Sequence, residues 1–405
     1  MLRILQLAWR NVWRHPRRTG IVVTAVSVGI AGVLLSMALN YGMVAQMIET
    51  AISTELGHLQ IHAAGFDANP ELAVRLEDGG REPVEVLGEL DGVRAFARRV
   101  KGEGLVKSPR ASVGVSVVGI EPEAEARISL VRDSITEGRY LDGERRRVLM
   151  GEELARRLGV GVGDKVVLSV QELGGDLAGE ALRVAGLFRT PSSELDRGTL
   201  FVRLGESQRL LGLGEAVSEV VVLADSRARI GVLRVLLAER LGSLEVRSWE
   251  ELQPVLVYMV DLFDQSALYV YLAVFIAMAF GIANVLLMAV YERMREIGVL
   301  MAVGMGRGRL VASVVTESLV VTFLGLAIGF LGALAGVAML HDGIDLSRWA
   351  EGLTAYGIGT RIVPVLRLRD FAAPTGVALL TAVVASAWPA LRAVRFRPAE
   401  AMRQV

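Results

Sequence analysis

Four long apolar stretches dominate the hydrophobic pattern of the chain. A helix needs about 20 apolar residues to cross the hydrocarbon core of a bilayer, so each stretch is predicted to span a membrane. The first is too long for the apolar region of a signal peptide and is interpreted as an anchor. The fourth is bracketed by Pro374 and Pro389 and diluted by small residues. The predicted spans are 21–45, 267–290, 310–340 and 372–391.

The polar interval 46–266 has a different pattern. Short runs with period-two alternation predict strands, and amphipathic runs predict helices. The interval is therefore predicted to be a separate mixed α/β domain, with an inner subdomain at about 131–215. The predicted strands are 59–62, 113–120, 148–150, 165–170, 182–188, 199–202 and 217–223, and the predicted helices are 84–90, 152–158 and 227–241.

The apolar spans are predicted to extend beyond the bilayer as helical stalks. Residues 44–56 continue the first span, and residues 250–266 lead into the second. At the other end, residues 2–13 form an amphipathic pattern with Trp9 and Trp13, which suit a membrane interface. We expect residues 1–20 to lie on the cytoplasmic surface and to set the entry angle of the first span.

Charge distribution predicts the orientation. Lys+Arg and Asp+Glu both number 44, so the chain has no net charge and lacks the basic excess of a nucleic-acid binder. Segments 1–20, 291–309 and 392–405 together carry +10, whereas 45–266 and 341–371 carry −9. Because basic residues mark cytoplasmic loops, both termini and 291–309 are predicted to be cytoplasmic. The large domain and the 341–371 loop are then predicted to lie on the outer side of the membrane.

No pattern in the sequence predicts a catalytic site or a metal site. The chain has no cysteine, which excludes disulfides, thiol nucleophiles and cysteine-ligated metals. Residues 159–165 read GVGVGDK, but Val166 follows where a P-loop requires Ser or Thr. His58 and His62 have an HxxxH spacing, yet the segment is interpreted as a half-exposed strand face. We therefore expect no metal, no cofactor and no enzymatic activity in this chain.

Two polar residues fall inside predicted spans. Glu317 lies about seven residues from the cytoplasmic start of the third span, and Asn284 lies in the second. Polar residues within a bilayer are functional candidates, but interhelical hydrogen bonding is favoured for Glu317 over a proton relay. The third span also carries glycines at small-xxx-small spacing, which predict close helix packing: Gly325, Gly329, Gly332 and Gly336.

Four blocks of sequence resemble FtsX/MacB-type ABC transporter permeases. Residues 284–304 read NVLLMAVYERMREIGVLMAVG, which is similar to the ERxxEIGxLxAxG signature of that family. Three further blocks match blocks of the same family and occur in the same order along the chain. They are residues 7–20 (LAWRNVWRHPRRTG), the third span from Glu317, and residues 388–403 (WPALRAVRFRPAEAMR). The resemblance implies a MacB-like, type VII fold in a bacterial inner membrane: four membrane helices and a periplasmic α/β domain.

The exterior domain is similar to the LolC/LolE lipoprotein-releasing branch. The similarity is carried by residues 57–65 (GHLQIHAAG), 137–141 (EGRYL), 151–164 and the later RVAGLF, and by the 341–370 segment. It implies a permease subunit that extracts lipoproteins from the outer leaflet, with ATP and Mg bound by two copies of a separate ATPase. It implies a homodimer or a heterodimer with a sister permease, and allows a periplasmic carrier or adaptor.

Two candidate sites follow from this resemblance. The 291–309 segment is expected to dock on the ATPase, and its expected coupling residues are Glu292, Arg293, Arg295, Glu296, Ile297, Gly298, Leu300 and Gly304. A cleft for acyl chains, or alternatively a dimer seam or a lipid-facing surface, is predicted at the outer ends of the first two spans. Its candidate residues are Met37, Tyr41, Met43, Met47, Leu268, Tyr271 and Phe275.

Two other functions remain open on the sequence. One is MacB-like mechanotransmission for efflux of peptides, antibiotics or toxins. The other is FtsX-like signalling to a periplasmic hydrolase without transport. An efflux permease would dock on an outer-membrane channel system, and a signalling permease would need no lipid-sized cleft.

Overall fold

The computed structural model divides the chain into two units. It describes residues 9–10, 12–14, 16–66, 74–141, 143–292, 296, 299, 301, 303, 305–346, 352 and 361–395, without the side chains of 18, 264, 267, 289 and 393–395. The membrane unit comprises Met1–Met43, Val260–Ile344 and Ile362–Val405. The α/β unit comprises Val44–Met259 and Asp345–Arg361.

The helices and strands are numbered in chain order. The helices are α1 (Pro16–Ala51), α2 (Arg81–Glu89), α3 (Pro122–Ile128), α4 (Glu152–Leu158), α5 (Ser193–Gly198), α6 (Leu204–Leu210), α7 (Ile230–Arg240), α8 (Trp249–Leu252), α9 (Pro254–Glu292), α10 (Arg307–Met339) and α11 (Ala372–Arg395). The strands are β1 (Leu59–Ala63), β2 (Val93–Lys107), β3 (Ser112–Ile120), β4 (Ile135–Gly138), β5 (Arg147–Gly151), β6 (Lys165–Gln171), β7 (Leu177–Phe188), β8 (Thr199–Arg203), β9 (Glu219–Ala224), β10 (Leu244–Ser248), β11 (Ile344–Asp345) and β12 (Arg361–Ile362). A π-helical turn, Ile52–Leu56, follows α1, and 3₁₀ turns cover Arg227–Arg229 and Leu368–Phe371.

In the part of the chain that the structure describes, four helices are long and apolar enough to cross a membrane. They cover Thr19–Leu56, Pro254–Glu292, Arg307–Met339 and Leu368–Arg392. The first two extend well past the predicted spans, as the predicted stalks require. Both contain more residues than a bilayer core needs, so part of each helix belongs to the α/β unit.

Glycines allow α10 to pack closely on α1 within the membrane unit. A Cβ atom at Gly325 would lie 2.6 Å from the Val26 side chain, and one at Gly329 would lie 2.9 Å from the Ser27 carbonyl. The Ser27 hydroxyl donates to the Gly325 carbonyl at 3.0 Å. Any larger residue at these two positions would separate the helices, which confirms the packing role predicted for these glycines.

One large sheet organises the α/β unit. Over the described residues its order is β10-β1-β9-β2-β3-β8-β5-β7-β4, and β6 pairs with β2 and β7. β4 to β8 all fall within the predicted inner subdomain at 131–215 and occupy one end of this order. Strands from inside and outside the predicted inner subdomain therefore belong to one continuous sheet, and the subdomain limits stay a prediction.

Local sequence explains most of the elements in this unit. Helix α4 has Glu152 and Glu153 in its first turn and ends at Gly159, whose φ of 65° suits glycine. Its bounds agree with the prediction. The seven predicted strands are also present, within a few residues of their predicted limits. Three strands were not predicted, namely β2, β4 and β10.

The prediction of a half-exposed face at His58–His62 is wrong. Gln60 and His62 in β1 are 2% and 0% exposed, because β1 lies between β9 and β10 and both of its faces are covered. The Gln60 amide donates to the Leu56 carbonyl at 2.9 Å, and its oxygen lies 3.0 Å from His62 Nε2. These residues form a buried polar core.

Candidate functional site

The expected ATPase-coupling segment is described only in part. Glu292 is the last residue of α9. A carboxylate oxygen of Glu296 lies 3.6 Å from an Arg14 guanidinium nitrogen, and both side chains are more than half exposed. Such an exposed pair contributes at most about 1 kcal/mol, so Glu296 can exchange Arg14 for another partner at little cost. The other expected coupling residues lie outside the described residues: Arg293, Arg295, Ile297, Gly298, Leu300 and Gly304.

The ends of α9 and α11 meet in the membrane unit through Arg392. Its guanidinium lies 5.9 Å from the centre of the Tyr291 ring and 5.6 Å from the centre of the Trp388 ring. These distances suit cation–π contacts. Near the N-terminus, Trp9 and Trp13 are exposed and contact each other edge to face, as expected for side chains at a membrane interface.

The structure brings four of the seven predicted cleft residues together. Met37 and Phe275 are buried in one apolar cluster of the membrane unit, and Tyr41 and Tyr271 pack against it. Leu268 is 62% exposed and lies outside this group. Met43 is partly buried. Met47 is buried within the α/β unit, one helical turn after Met43.

Met47 lines a cavity of about 190 Å³ in the α/β unit. Helix α1 and the π-helical turn form one wall of the cavity, and the start of α9 forms a second. The start of α5, with the residue before it, forms the third. The lining residues are Met47, Thr50, Ala51, Thr54, Glu55, Leu56, Ser192, Glu194, Gln253, Val255, Leu256 and Met259. Of these lining residues only Met47 was predicted, because the three walls are far apart in sequence and no motif connects them.

The chemistry of the cavity suits an amphiphile. Met, Leu, Val and Ala side chains share its surface with hydroxyls, an amide and the carboxylates of Glu55 and Glu194, and no lining residue is basic. Pockets that enclose drug-sized ligands measure about 300–1,000 Å³. This cavity of about 190 Å³ is smaller than such pockets, and methionine side chains such as its Met47 and Met259 adapt to varied apolar shapes.

The two intramembrane polar residues have different surroundings. Glu317 is partly buried on α10, next to Ser318, whose hydroxyl donates to the Ala382 carbonyl of α11 at 3.3 Å. Asn284 is exposed on α9. Interhelical hydrogen bonding thus occurs beside Glu317, and the role predicted for Glu317 itself stays a prediction.

A buried group of charges in the α/β unit was not predicted. This charge cluster consists of Arg99 and Lys101 on β2, Glu125 on α3 and Glu219 on β9. Arg99 binds Glu125 through two parallel hydrogen bonds of 3.0 and 2.6 Å. Glu219 lies 3.6 Å from Arg99 and 3.2 Å from Lys101. The side chains of Arg99, Glu125 and Glu219 are at most 3% exposed.

Mutual attraction keeps this cluster charged. Burial opposes the charge of Arg99, but Glu125 and Glu219 outweigh burial and hold the pKa of Arg99 above its ordinary value. Burial likewise favours a neutral Glu219, but Lys101, His62 and Arg99 hold its pKa below the usual range. The pKa of His62 is lowered, chiefly by burial. Unpaired charges at this depth would cost several kcal/mol each.

The fold and these sites define a four-span membrane protein with an inserted α/β domain, a class confirmed by comparison with known families. Residues 19–235 match the MacB-like periplasmic core domain, and residues 268–398 match the FtsX-like permease C-terminal domain. The chain therefore belongs to the MacB- and FtsX-like family, and it is an ABC transporter permease of the MacB/FtsX/LolC type.

Similar curated proteins include both lipoprotein-releasing and export systems. The lipoprotein-releasing system transmembrane protein LolC of Xylella fastidiosa is 25% identical over 77% of this chain and 78% of its own length. LolC of Neisseria meningitidis is 25% identical over 96% of both chains. The pyoverdine export ATP-binding/permease protein PvdT of Pseudomonas entomophila is 23% identical over 99% of this chain and 60% of its own length.

Proposed function

We propose that this chain is the permease subunit of an ABC transporter that extracts lipoproteins from the outer leaflet of the inner membrane for transfer to the periplasm or outer membrane. The observation that carries the proposal is the similarity to LolC of Neisseria meningitidis along nearly the whole of both chains. The permease acts as a homodimer or with a sister permease. Two copies of a separate ATPase bind ATP and Mg, and both termini face the cytoplasm.

The geometry supports an amphiphilic cargo. The cavity beside Met47 has apolar walls for part of an acyl chain and polar groups for the adjoining linkage. Within the membrane unit, the cluster around Met37 and Phe275 supplies further apolar surface, with Tyr41 and Tyr271 at its edge. In this proposal the acyl chains bind apolar surface of the permease, and the protein moiety stays on the periplasmic side.

The long helices supply the mechanism. Helix α1 and helix α9 each run without interruption from the membrane unit into the α/β unit. When the ATPase dimer closes on ATP, the coupling segment moves the lower ends of these helices. The α/β unit moves with their upper ends and lifts the lipoprotein out of the outer leaflet, so the cargo never crosses the bilayer.

Export of a cationic amphiphile is the second candidate. The similarity to PvdT favours it, and so do Glu55 and Glu194, which give the cavity a negative lining. Mass spectrometry of the native complex purified in detergent distinguishes the two candidates. A co-purifying ATPase with an acylated lipoprotein supports extraction. An ATPase with an adaptor or outer-membrane channel and no lipoprotein supports export. No ATPase at all overturns both.

Filling the cavity tests the cargo site. Ala51→Met adds a flexible apolar side chain to the α1 wall without adding charge, and we expect it to reduce release of acylated cargo several-fold. Ala45→Met is the control, because Ala45 lies on the same helix but outside the cavity lining. Release is measured from proteoliposomes that contain the native complex. Equal release by both variants would remove the cavity from the proposal.

Reversing one charge tests the coupling segment. We expect Glu296→Lys to abolish transport while the permease still inserts and the ATPase still binds ATP, since Glu296 would no longer match its docking partner. The double variant Arg14→Glu with Glu296→Arg restores the ion pair to Arg14 with its charges exchanged. If this double variant transports normally, the ion pair explains the phenotype and docking by Glu296 is wrong.

A further inference from the structure

The end of α1 is attached to the sheet by backbone groups of the π-helical turn. In this turn the Gly57 N–H donates to the Ile52 carbonyl at 2.9 Å, which is a π-type bond. Such turns are rare and frequent at functional sites. The Ser53 carbonyl accepts from the Leu130 N–H at 2.8 Å, and the Leu56 carbonyl accepts from the Gln60 amide of β1 at 2.9 Å.

Arg99 makes a third attachment to the same turn. Its Nη1 donates to the Glu55 carbonyl, while its other nitrogens bind Glu125 on α3. The Glu55 carboxylate also lies 3.6 Å from Lys101. Arg99 belongs to β2, which pairs with β3, β6 and β9 and is therefore central in the sheet. The Arg99 guanidinium thus connects the π-helical turn after α1 with α3. The strand that carries Arg99 is in turn paired with three other strands.

One side of the turn packs in an apolar cluster of the α/β unit. Ile52 is 3% exposed and belongs to a cluster with Val221 of β9, Ala97 of β2 and Ile128 of α3. The turn therefore cannot rotate on the sheet without losing the hydrogen bonds to the carbonyls of Ser53, Glu55 and Leu56. The bond from Arg99 is charge-assisted and is the strongest kind of the three, so the attachment is stiff.

We infer that the π-helical turn and the charge cluster form a rigid joint, with Arg99 as the positioning residue that fixes the end of α1 to the sheet. Movement of α1 is then passed to the whole α/β unit instead of being absorbed by bending at residues 52–57. The inference rests on the proposed function only where transport is measured, because the joint itself does not depend on which cargo is moved.

A distance measurement tests the joint directly. The chain has no native cysteine, so Ala45→Cys on α1 and Lys107→Cys on β2 provide the only two spin-label sites. Pulsed electron paramagnetic resonance on the purified permease should give a narrow distance distribution. Arg99→Lys keeps the charge but cannot bind Glu125 and the Glu55 carbonyl together, and we expect it to broaden that distribution.

Arg98→Lys is the matched control. Arg98 is the neighbouring residue on the same strand and binds Glu121 and the Gly79 carbonyl instead of the π-helical turn. Its distribution should stay narrow. Unchanged distances in Arg99→Lys, or equal broadening in both variants, would overturn the joint. If Arg99→Lys fails to fold, Gln60→Met removes the attachment at Leu56 and is tested in the same way with the same expectation.

A transport assay supplies the second readout. In the complex with the co-purified ATPase, Arg99→Lys should lower the amount of cargo moved per ATP hydrolysed several-fold, with ATP hydrolysis itself unchanged. A purely structural role would lower both together, and that result would refute positioning by Arg99. The spin-label result does not depend on cargo. Broadened distances in a complex without lipoprotein would therefore overturn the proposed function and leave the joint intact.

Discussion

Two long helices enter the α/β unit, and their attachments differ. The end of α1 is buried at Ile52, Thr54 and Leu56, and carbonyls of its last turn accept hydrogen bonds from the sheet and from a loop. The start of α9 is much more open, with Val255 and Tyr258 59% and 63% exposed. Within the α/β unit, the end of α1 is thus held by more buried contacts than the start of α9.

Among changes near the end of α1, replacing Arg99 should cause the largest loss of stability. Arg99→Met leaves Glu125 buried without Arg99 and leaves Glu219 with only the nearby Lys101, and breaking a buried pair in this way costs about 3–5 kcal/mol. Arg98→Met is the control: its partly exposed pair with Glu121 should contribute about 1 kcal/mol or less. Urea unfolding of the purified permease, followed by circular dichroism, measures both. Similar losses would mean that the charge cluster does not strengthen the joint.

The exit from the π-helical turn should be the next most sensitive point. Gly57 has a φ of 64° and a ψ of −169°, a conformation open almost only to glycine. A Cβ atom there would lie 2.4 Å from the Val221 side chain. We expect Gly57→Ala to destabilise the permease by about 1–3 kcal/mol.

Gly65→Ala separates backbone strain from crowding at Gly57. Gly65 also has a positive φ, 89°, but its Cβ atom would meet nothing within 4 Å. The same unfolding measurement should therefore give a smaller loss for Gly65→Ala. If the two losses are equal, the turn is not tightly packed against the sheet and the contrast between the two helices weakens.

The start of α9 should tolerate change better. Glu251 accepts from the Ser248 N–H at 3.0 Å and pairs with Arg234 at 2.7 Å, which fixes the short α8 before α9. Losing such a cap costs about 1 kcal/mol, so Glu251→Ala should have the smallest effect of the three. Glu239→Ala, on the exposed side of α7, controls for loss of surface charge. A loss near that of Arg99→Met would show that both helices are fixed equally.

Sequence patterns located most of the elements of the fold because those elements depend on local signals. Helix α4 has acidic residues at its start and Gly159 at its end, and its bounds were predicted correctly. Strand β2 was missed. Its sequence, VRAFARRVKGEGLVK, places five basic residues and two glycines among the apolar positions, so no period-two pattern is visible. The sheet accepts the charges of Arg98, Arg99 and Lys101 because they form ion pairs. Their partners are Glu121, Glu125 and Glu219.

The candidate sites were predicted less completely than the fold. The expected coupling residues rest on a sequence signature, and of these eight residues the structure describes only Glu292 and Glu296. The cleft prediction grouped residues by their depth along two spans, and the structure places two of them, Met37 and Phe275, in one apolar cluster. It also included Leu268, which is exposed on α9, because depth along a helix does not determine which side of the helix a residue occupies.

The sequence by itself determined the membrane spans, the charge asymmetry and the family, since hydropathy, charge and a motif are all properties of short segments. Tertiary structure alone decided the cavity beside Met47 and the charge cluster around Arg99. Arg99 and Glu219 are 120 positions apart, and Glu55 and Glu194 are even further apart in sequence. Such groups meet only when segments that are distant in sequence pack together in the fold. A buried charge is stable only where that packing brings its partner to it.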